Sequence, residues 1–244
     1  MSNIQLAKPI EVYRPIPIVL SFVAGYVDSC TYLALFGVFV AQVTGSYVIA
    51  GTQFVRIEPG AFAKLLAIPS FFLAGLAVTV LVHVLRERPR AGLACSLGLE
   101  CLLLIGLMAA GLAAMPFPGP DAPGAILALI SGMAAMGAQS ALVRLLMRGV
   151  ASTNVMTTNT TLLAIGVAEM LLSWVERRKA GPSETSNARY RRGRRELAAL
   201  LPLALGFLAG TAFGAVAYIA VGLSCVVLAI LPVGSLALWY MRSA

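Results

Sequence analysis

Long apolar runs separated by short, mostly basic polar segments set the pattern of this chain. A helix crosses the ~30 Å hydrocarbon core of a bilayer with roughly 20 apolar residues. Runs of that length occur at about 16–36, 62–85, 91–115, 123–143, 197–217 and 220–240, and each predicts a spanning helix. Two further runs, about 38–56 and 150–173, are broken near their starts, one by Thr44-Gly45-Ser46 and the other by Thr157-Thr158-Asn159-Thr160. The apolar part left after the first break is about a dozen residues, a length that favours a re-entrant segment over a full crossing.

Composition supports this reading. At 244 residues, 59% hydrophobic and 11% charged, with a mean hydropathy of +0.90, the chain carries more apolar surface than a soluble domain of its size can bury. A lipid bilayer is the partner of most of it. The net charge of +8 gathers between apolar runs, as in cytoplasmic loops of membrane proteins, which argues against nucleic acid as a partner. Arg86, Arg88 and Arg90 form one basic cluster, Arg144 and Arg148 a second, and Arg177, Arg178, Lys179, Arg189, Arg191, Arg192, Arg194 and Arg195 a third. All three are expected in the cytoplasm, so the run 150–173, lying between two of them, must enter and leave on one face. The base-free link Pro116 to Pro123 then falls outside. Arg56 and Lys64 fall outside too, partly offset by Glu58. The polar start, Met1 to Arg14, resembles the opening of a signal peptide, but the run after it contains Asp28 and no cleavage site, which predicts a retained first helix.

The two halves resemble one another. Phe72-Leu73-Ala74-Gly75-Leu76-Ala77 matches Phe207-Leu208-Ala209-Gly210-Thr211-Ala212; Gly25 to Asp28 matches Gly137 to Ser140; and Gly37-Val38 leading to Thr44 matches Gly149-Val150 leading to Thr157. With three spans and one re-entrant segment per half, the second half enters the membrane inverted, a plan recurrent among secondary transporters. The expected fold is an all-α polytopic membrane protein of two inverted repeats, each of three spanning helices and one re-entrant broken helix. Residues 1–15 form a cytoplasmic N-terminal segment, 16–115 the first repeat, 116–122 an external loop, and 123–241 the second repeat with a basic, mobile cytoplasmic loop at 176–196.

These motif residues carry a family resemblance. Gly25, Asp28, Thr44, Gly45, Met136, Gly137 and Thr157 match the pattern of the YoaK-like family of uncharacterised bacterial inner-membrane proteins, over nearly the whole chain. Ser46, Ala138-Gln139-Ser140 and Thr158 depart from that pattern. The resemblance implies six spanning helices and a membrane location, and brings no established substrate.

Asp28, within the first helix, is the first candidate for function, because an ionised carboxylate at the bilayer centre costs about 2.5–3.5 kcal/mol or more. A packing hydrogen bond to a neighbouring helix is the competing role. Glu100 is a second intramembrane acid, and the two are the proton-coupling candidates. Thr44, Gly45, Ser46, Thr157, Thr158 and Asn159 at the breaks, with Gln42, Gln139, Ser140 and Asn154 nearby, are the substrate-binding candidates. Breaks at matching places in two halves point to a binding site, although Ser, Thr and Gly also simply cap helices. If both segments are re-entrant, their helix N-termini, each carrying about half a positive charge, approach one another and attract an anion. Gly206, Gly210 and Gly214 lie on one helix face and suit either packing within the chain or a homodimer seam.

Cys30, Cys95, Cys101 and Cys225 lie in apolar segments without C-x-x-C spacing, and His83 is the only histidine. They suggest small buried hydrophobes and an interfacial residue, with no metal, no cofactor and no Ser-His-Asp triad. The expected function is a secondary transporter or channel for a small, anionic metabolite, linked to protons through an intramembrane carboxylate, in a bacterial inner membrane with both termini cytoplasmic. The alternatives are a non-transporting subunit that binds a partner protein and, less favoured, a membrane-embedded enzyme, for which no acid/base pair or metal cluster is evident.

Overall fold

A computed structural model describes residues 13, 15–52, 55, 59–147 and 149–243. Most of residues 1–15, with Arg56, Glu58 and Arg148, lie outside the described residues. The rest forms helices α1 (Pro15–Ala34), α2 (Val43–Thr52), α3 (Ala61–Val84), α4 (Pro89–Ala114), α5 (Pro123–Leu146), α6 (Met156–Ala180), α7 (Glu184–Val221) and α8 (Val227–Arg242), with a short 3-10 turn, Gly222–Val226, before α8. Proline opens α1, α4 and α5, where its missing N–H would have had no partner in the helix. Six stretches are long and apolar enough to cross a membrane: α1, α3, α4, α5, α6, and Glu184–Arg242, which joins α7 to α8. The protein is thus an all-helical, multi-pass membrane protein.

Packing is organised by close glycine contacts. α1 and α7 run parallel, with Gly206, Gly210 and Gly214 set against the backbone of Ile18, Phe22 and Tyr26. α3 and α5 also run parallel, with Gly137 against the carbonyl of Phe71 and Gly75 facing Ala141. α4 lies antiparallel to α5, Gly106 meeting Ser131 and Gly124 meeting Ala114. It is antiparallel to α8 as well: Gly111 meets Leu223, and Arg90 donates to the Ser243 carbonyl at 3.2 Å. α2 packs on α3, and α6 packs on α7.

At two places the chain folds back along the helix it has just left. After α1, residues 38–41 fold back along it, and the Ala41 N–H donates to Asp28 Oδ1 at 2.7 Å. After α5, residues 149–155 do the same, and Asn154 Nδ2 donates to Ser140 Oγ at 2.6 Å. Both bonds are made about two turns, roughly 9 Å, before the end of the preceding helix. α2 and α6 therefore begin inside the bundle.

Three expectations are corrected. The second segment is not broken at Thr157-Thr158-Asn159-Thr160: α6 runs through these residues and is 25 residues long. Residues 176–196 form no loop: they are the end of α6 and the start of α7, joined by a tight turn into a helical hairpin. Gly181, at φ 79, ends α6. Ser183 begins α7 with a capping box, its Oγ accepting from the Ser186 N–H while Ser186 Oγ accepts from the Ser183 N–H, both at 3.1 Å. Arg189 pairs with Glu176, Arg192 with Glu169 at 3.5 Å, and the Arg178 guanidinium stacks 4.0 Å over Trp174. Arginine, glutamate and alanine favour helix, so an Arg-rich stretch need not be a linker. Because Leu203 is level with Ser21 near the start of α1, the part of α7 before about residue 200 extends roughly 20 Å beyond the bundle. Finally, Gly206, Gly210 and Gly214 are taken up by α1 of the same chain and are unavailable as a homodimer seam.

Candidate binding site at the two chain reversals

The first reversal is built on Asp28. Its side chain is buried, at 2% exposure. One oxygen holds Ala41, and Oδ2 has no hydrogen-bond partner among the described residues. A carboxylate so placed fixes the path of residues 38–41 and still offers an acceptor. Ser46 is buried, while Gln42, Thr44 and Gly45 are exposed. A Cβ at Gly45 would meet nothing within 4 Å, so packing does not require glycine there.

The second reversal is a fuller polar network. Gln139 Nε2 donates to the Leu20 carbonyl at 3.0 Å and to Thr153 Oγ1 at 2.8 Å. Ser152 Oγ donates to Asn154 Oδ1 at 3.0 Å, and Asn159 Nδ2 donates to the Ser152 carbonyl at 2.7 Å. Ser21 Oγ lies 3.0 Å from the Thr153 carbonyl and 2.8 Å from that of Leu203, so a single proton serves two acceptors. Gln139, Ser140, Asn154 and Asn159 are thus brought together, whereas Thr157 and Thr158 face outward. Ser21, Ser152 and Thr153 were missed from sequence. The run Ser152-Thr153-Asn154 just ahead of an apolar segment is a helix-start signal that would have found two of them.

The two reversals meet differently from the expected arrangement. α2 and α6 do not pack against each other, because each is held by the third helix of its own half. Instead the start of α2 reaches the second half: Val43 and Tyr47 share a crevice of about 500 Å³ with Ser140, Arg144 and Thr79. Arg144 is exposed and has no ion-pair partner among the described residues. Glu100 stands elsewhere, fully buried on α4, with neither oxygen hydrogen-bonded among the described residues. The α4–α5 register puts it level with Ala138 and Gln139.

A bundle of apolar helices with two internal reversals and buried carboxylates defines a polytopic membrane protein with polar groups held inside it. The chain matches the DUF1275 family, a family of proteins of unknown function, over residues 16–239 and belongs to it. No curated protein and no solved structure matches it.

Proposed function

We propose that this protein moves a small anionic solute across a bacterial inner membrane, without catalysing a chemical reaction, and that its two halves are inverted repeats. The observation that carries the reading is the crevice at the start of α2. The N-terminus of α2, the Ser140 hydroxyl and the Arg144 guanidinium converge there, and all three attract an anion. Support for the repeats comes from matched contacts: Gly25 lies against the carbonyl of Phe207 as Gly137 lies against that of Phe71. α1, antiparallel to α5, holds its returning chain through Asp28 as α5 does through Ser140.

Asp28 is the proton-linked group in this reading. It lies at the same reversal as the α2 N-terminus, so it repels an anion when ionised and admits it when protonated, and transport quickens as pH falls. Glu100 is a second proton site on α4. In this reading the basic hairpin lies on the cytoplasmic side, as its charge favours, and cytoplasmic termini are supported by the start of α1 and the end of α8 lying at that same end of the bundle. In proteoliposomes, flux of a panel of small carboxylates should rise with falling pH. Asp28→Asn should keep the fold and abolish the pH dependence, and Arg144→Gln should weaken uptake several-fold. An unchanged pH profile in Asp28→Asn would leave that residue only its packing role, and transport of cations alone would refute the reading.

The projecting hairpin favours a second reading, a subunit that docks a partner protein, because Leu171, Leu172 and Trp174 are exposed along it. That reading requires a stoichiometric partner retained by the wild type and lost in Trp174→Glu, with no flux of any solute.

A further inference from the structure

Two crevices at opposite ends of the bundle occupy equivalent positions and differ in size. One, of about 440 Å³, lies between α1, residues 149–151 and α7, at the hairpin end. The other lies between α5, residues 35–38 and the start of α3, and measures about 10 Å³. In the register set by the repeated motifs, Val150 in the first corresponds to Val38 in the second, Arg195 to Gly60, Ala198 to Ala63, Ala199 to Lys64 and Pro17 to Leu129. Five lining positions therefore coincide, although the repeats are matched only through short motifs elsewhere.

The link before α5 fills the smaller crevice. Pro120 lies so close to Gly60 that a Cβ there would come within 2.9 Å of it. Asp121 Oδ2 accepts from the Gly60 N–H at 2.7 Å, and its Oδ1 from the Ala63 N–H at 3.4 Å. The carboxylate thus caps the start of α3, where a negative charge is favoured and unpaired N–H groups need acceptors. Phe117 of the same link rests against Phe36 with ring centroids 6.3 Å apart.

We propose that these crevices are the two mouths of one pathway, open in turn, and that Asp121 is the latch holding the α3 mouth shut while the hairpin mouth is open. The inference rests on the transport reading and the inverted halves. It adds that opening at one end is coupled to closure at the other. Two seams of the same construction, α1 on α7 and α5 on α3, would exchange their roles, so that breaking the Asp121 latch shifts the population toward the opposite state.

Cysteine accessibility in purified, detergent-solubilised protein tests this without any solute. In a Cys95→Ser background, reaction with a membrane-impermeant maleimide should be fast at Ala199→Cys, in the open mouth, and at least about ten-fold slower at Ala63→Cys, in the shut one. Adding Asp121→Ala, which removes both acceptors, should raise the Ala63→Cys rate about ten-fold and lower the Ala199→Cys rate several-fold, because one equilibrium governs both. Phe117→Ala, which loosens the same link without touching the cap, should act in the same direction. A gain at Ala63→Cys with no loss at Ala199→Cys, in both variants, overturns the coupling and leaves a frayed loop; so do equal rates in the unlatched and latched protein. Flux in proteoliposomes separates the two levels. Transport without reciprocal labelling removes only this inference, and reciprocal labelling without flux of any solute removes the transport reading.

Discussion

Glycine does two different jobs along these helices, and adding one methyl group tells them apart. At Gly25 and Gly210 a Cβ would run into the carbonyls of Phe207 and Phe22, so the helix axes would have to separate. Gly25→Ala and Gly210→Ala should each destabilise by roughly 1–3 kcal/mol, the usual cost of overpacking. At Gly98, in the middle of α4, a Cβ would meet nothing within 4 Å, and Gly98→Ala should stabilise by about 0.5–1 kcal/mol through helix propensity. Denaturation in mixed micelles reads both signs. Asp28 divides in the same way between its two oxygens. Asn keeps an acceptor for the Ala41 N–H, whereas Ala leaves that buried group unpaired, so Asp28→Ala should cost about 1–3 kcal/mol more than Asp28→Asn.

Among the elements, the α6–α7 hairpin is the one whose stability is most local. Its turn depends on the Ser183–Ser186 capping box, and its helices on Gly166 against Gly193 and on ion pairs at partly exposed positions, which contribute little each. Ser183→Ala should weaken the start of α7 by about 0.5–2 kcal/mol. The loss should appear as faster amide exchange from about residue 176 to 190, with no change in α4 or α5. A global loss of protection would mean that the hairpin is part of the core and not an appendage. α2, ten residues long and packed mainly on α3, should exchange fastest of the helices within the bundle.

At the scale of the whole molecule, the hairpin tip and the link before α5 lie at opposite ends of the bundle. Ser183→Cys and Gly119→Cys, in a background lacking reactive cysteines, should therefore label from opposite sides of the membrane. Labelling of both from one side would contradict the arrangement of α5, α6 and α7. Gly119 suits the test because a Cβ there meets nothing within 4 Å.

Much of this architecture could be read along the chain because bilayer thickness sets a length that apolar runs either reach or miss. Five of the predicted spans coincide with α1, α3, α4, α5 and the later part of α7, and the sixth with the 3-10 turn and α8. The short apolar part around Thr44-Gly45-Ser46 anticipated a short helix, and α2 is one, although these three residues lie in its first turn and the chain reverses ahead of them. Asp28 stood out for a physical reason that holds without coordinates: carboxylates are costly among apolar residues and need a partner. The sequence could not say which partner, because Ala41 is joined to Asp28 only when the chain doubles back. Nor could hydropathy tell an Arg-rich loop from an Arg-rich hairpin, since both are polar; caps and cross-helix pairs make the difference, and they exist only once α6 and α7 lie side by side. The glycine stripe on α7 marked a surface of close approach, but its partner is chosen by packing, and parallel α1 fills it. Apolar length and buried charge were thus determined by the sequence alone, whereas pairing, register and the meeting of α2 with Ser140 and Arg144 were decided by tertiary structure, because they depend on distances between residues far apart in the chain.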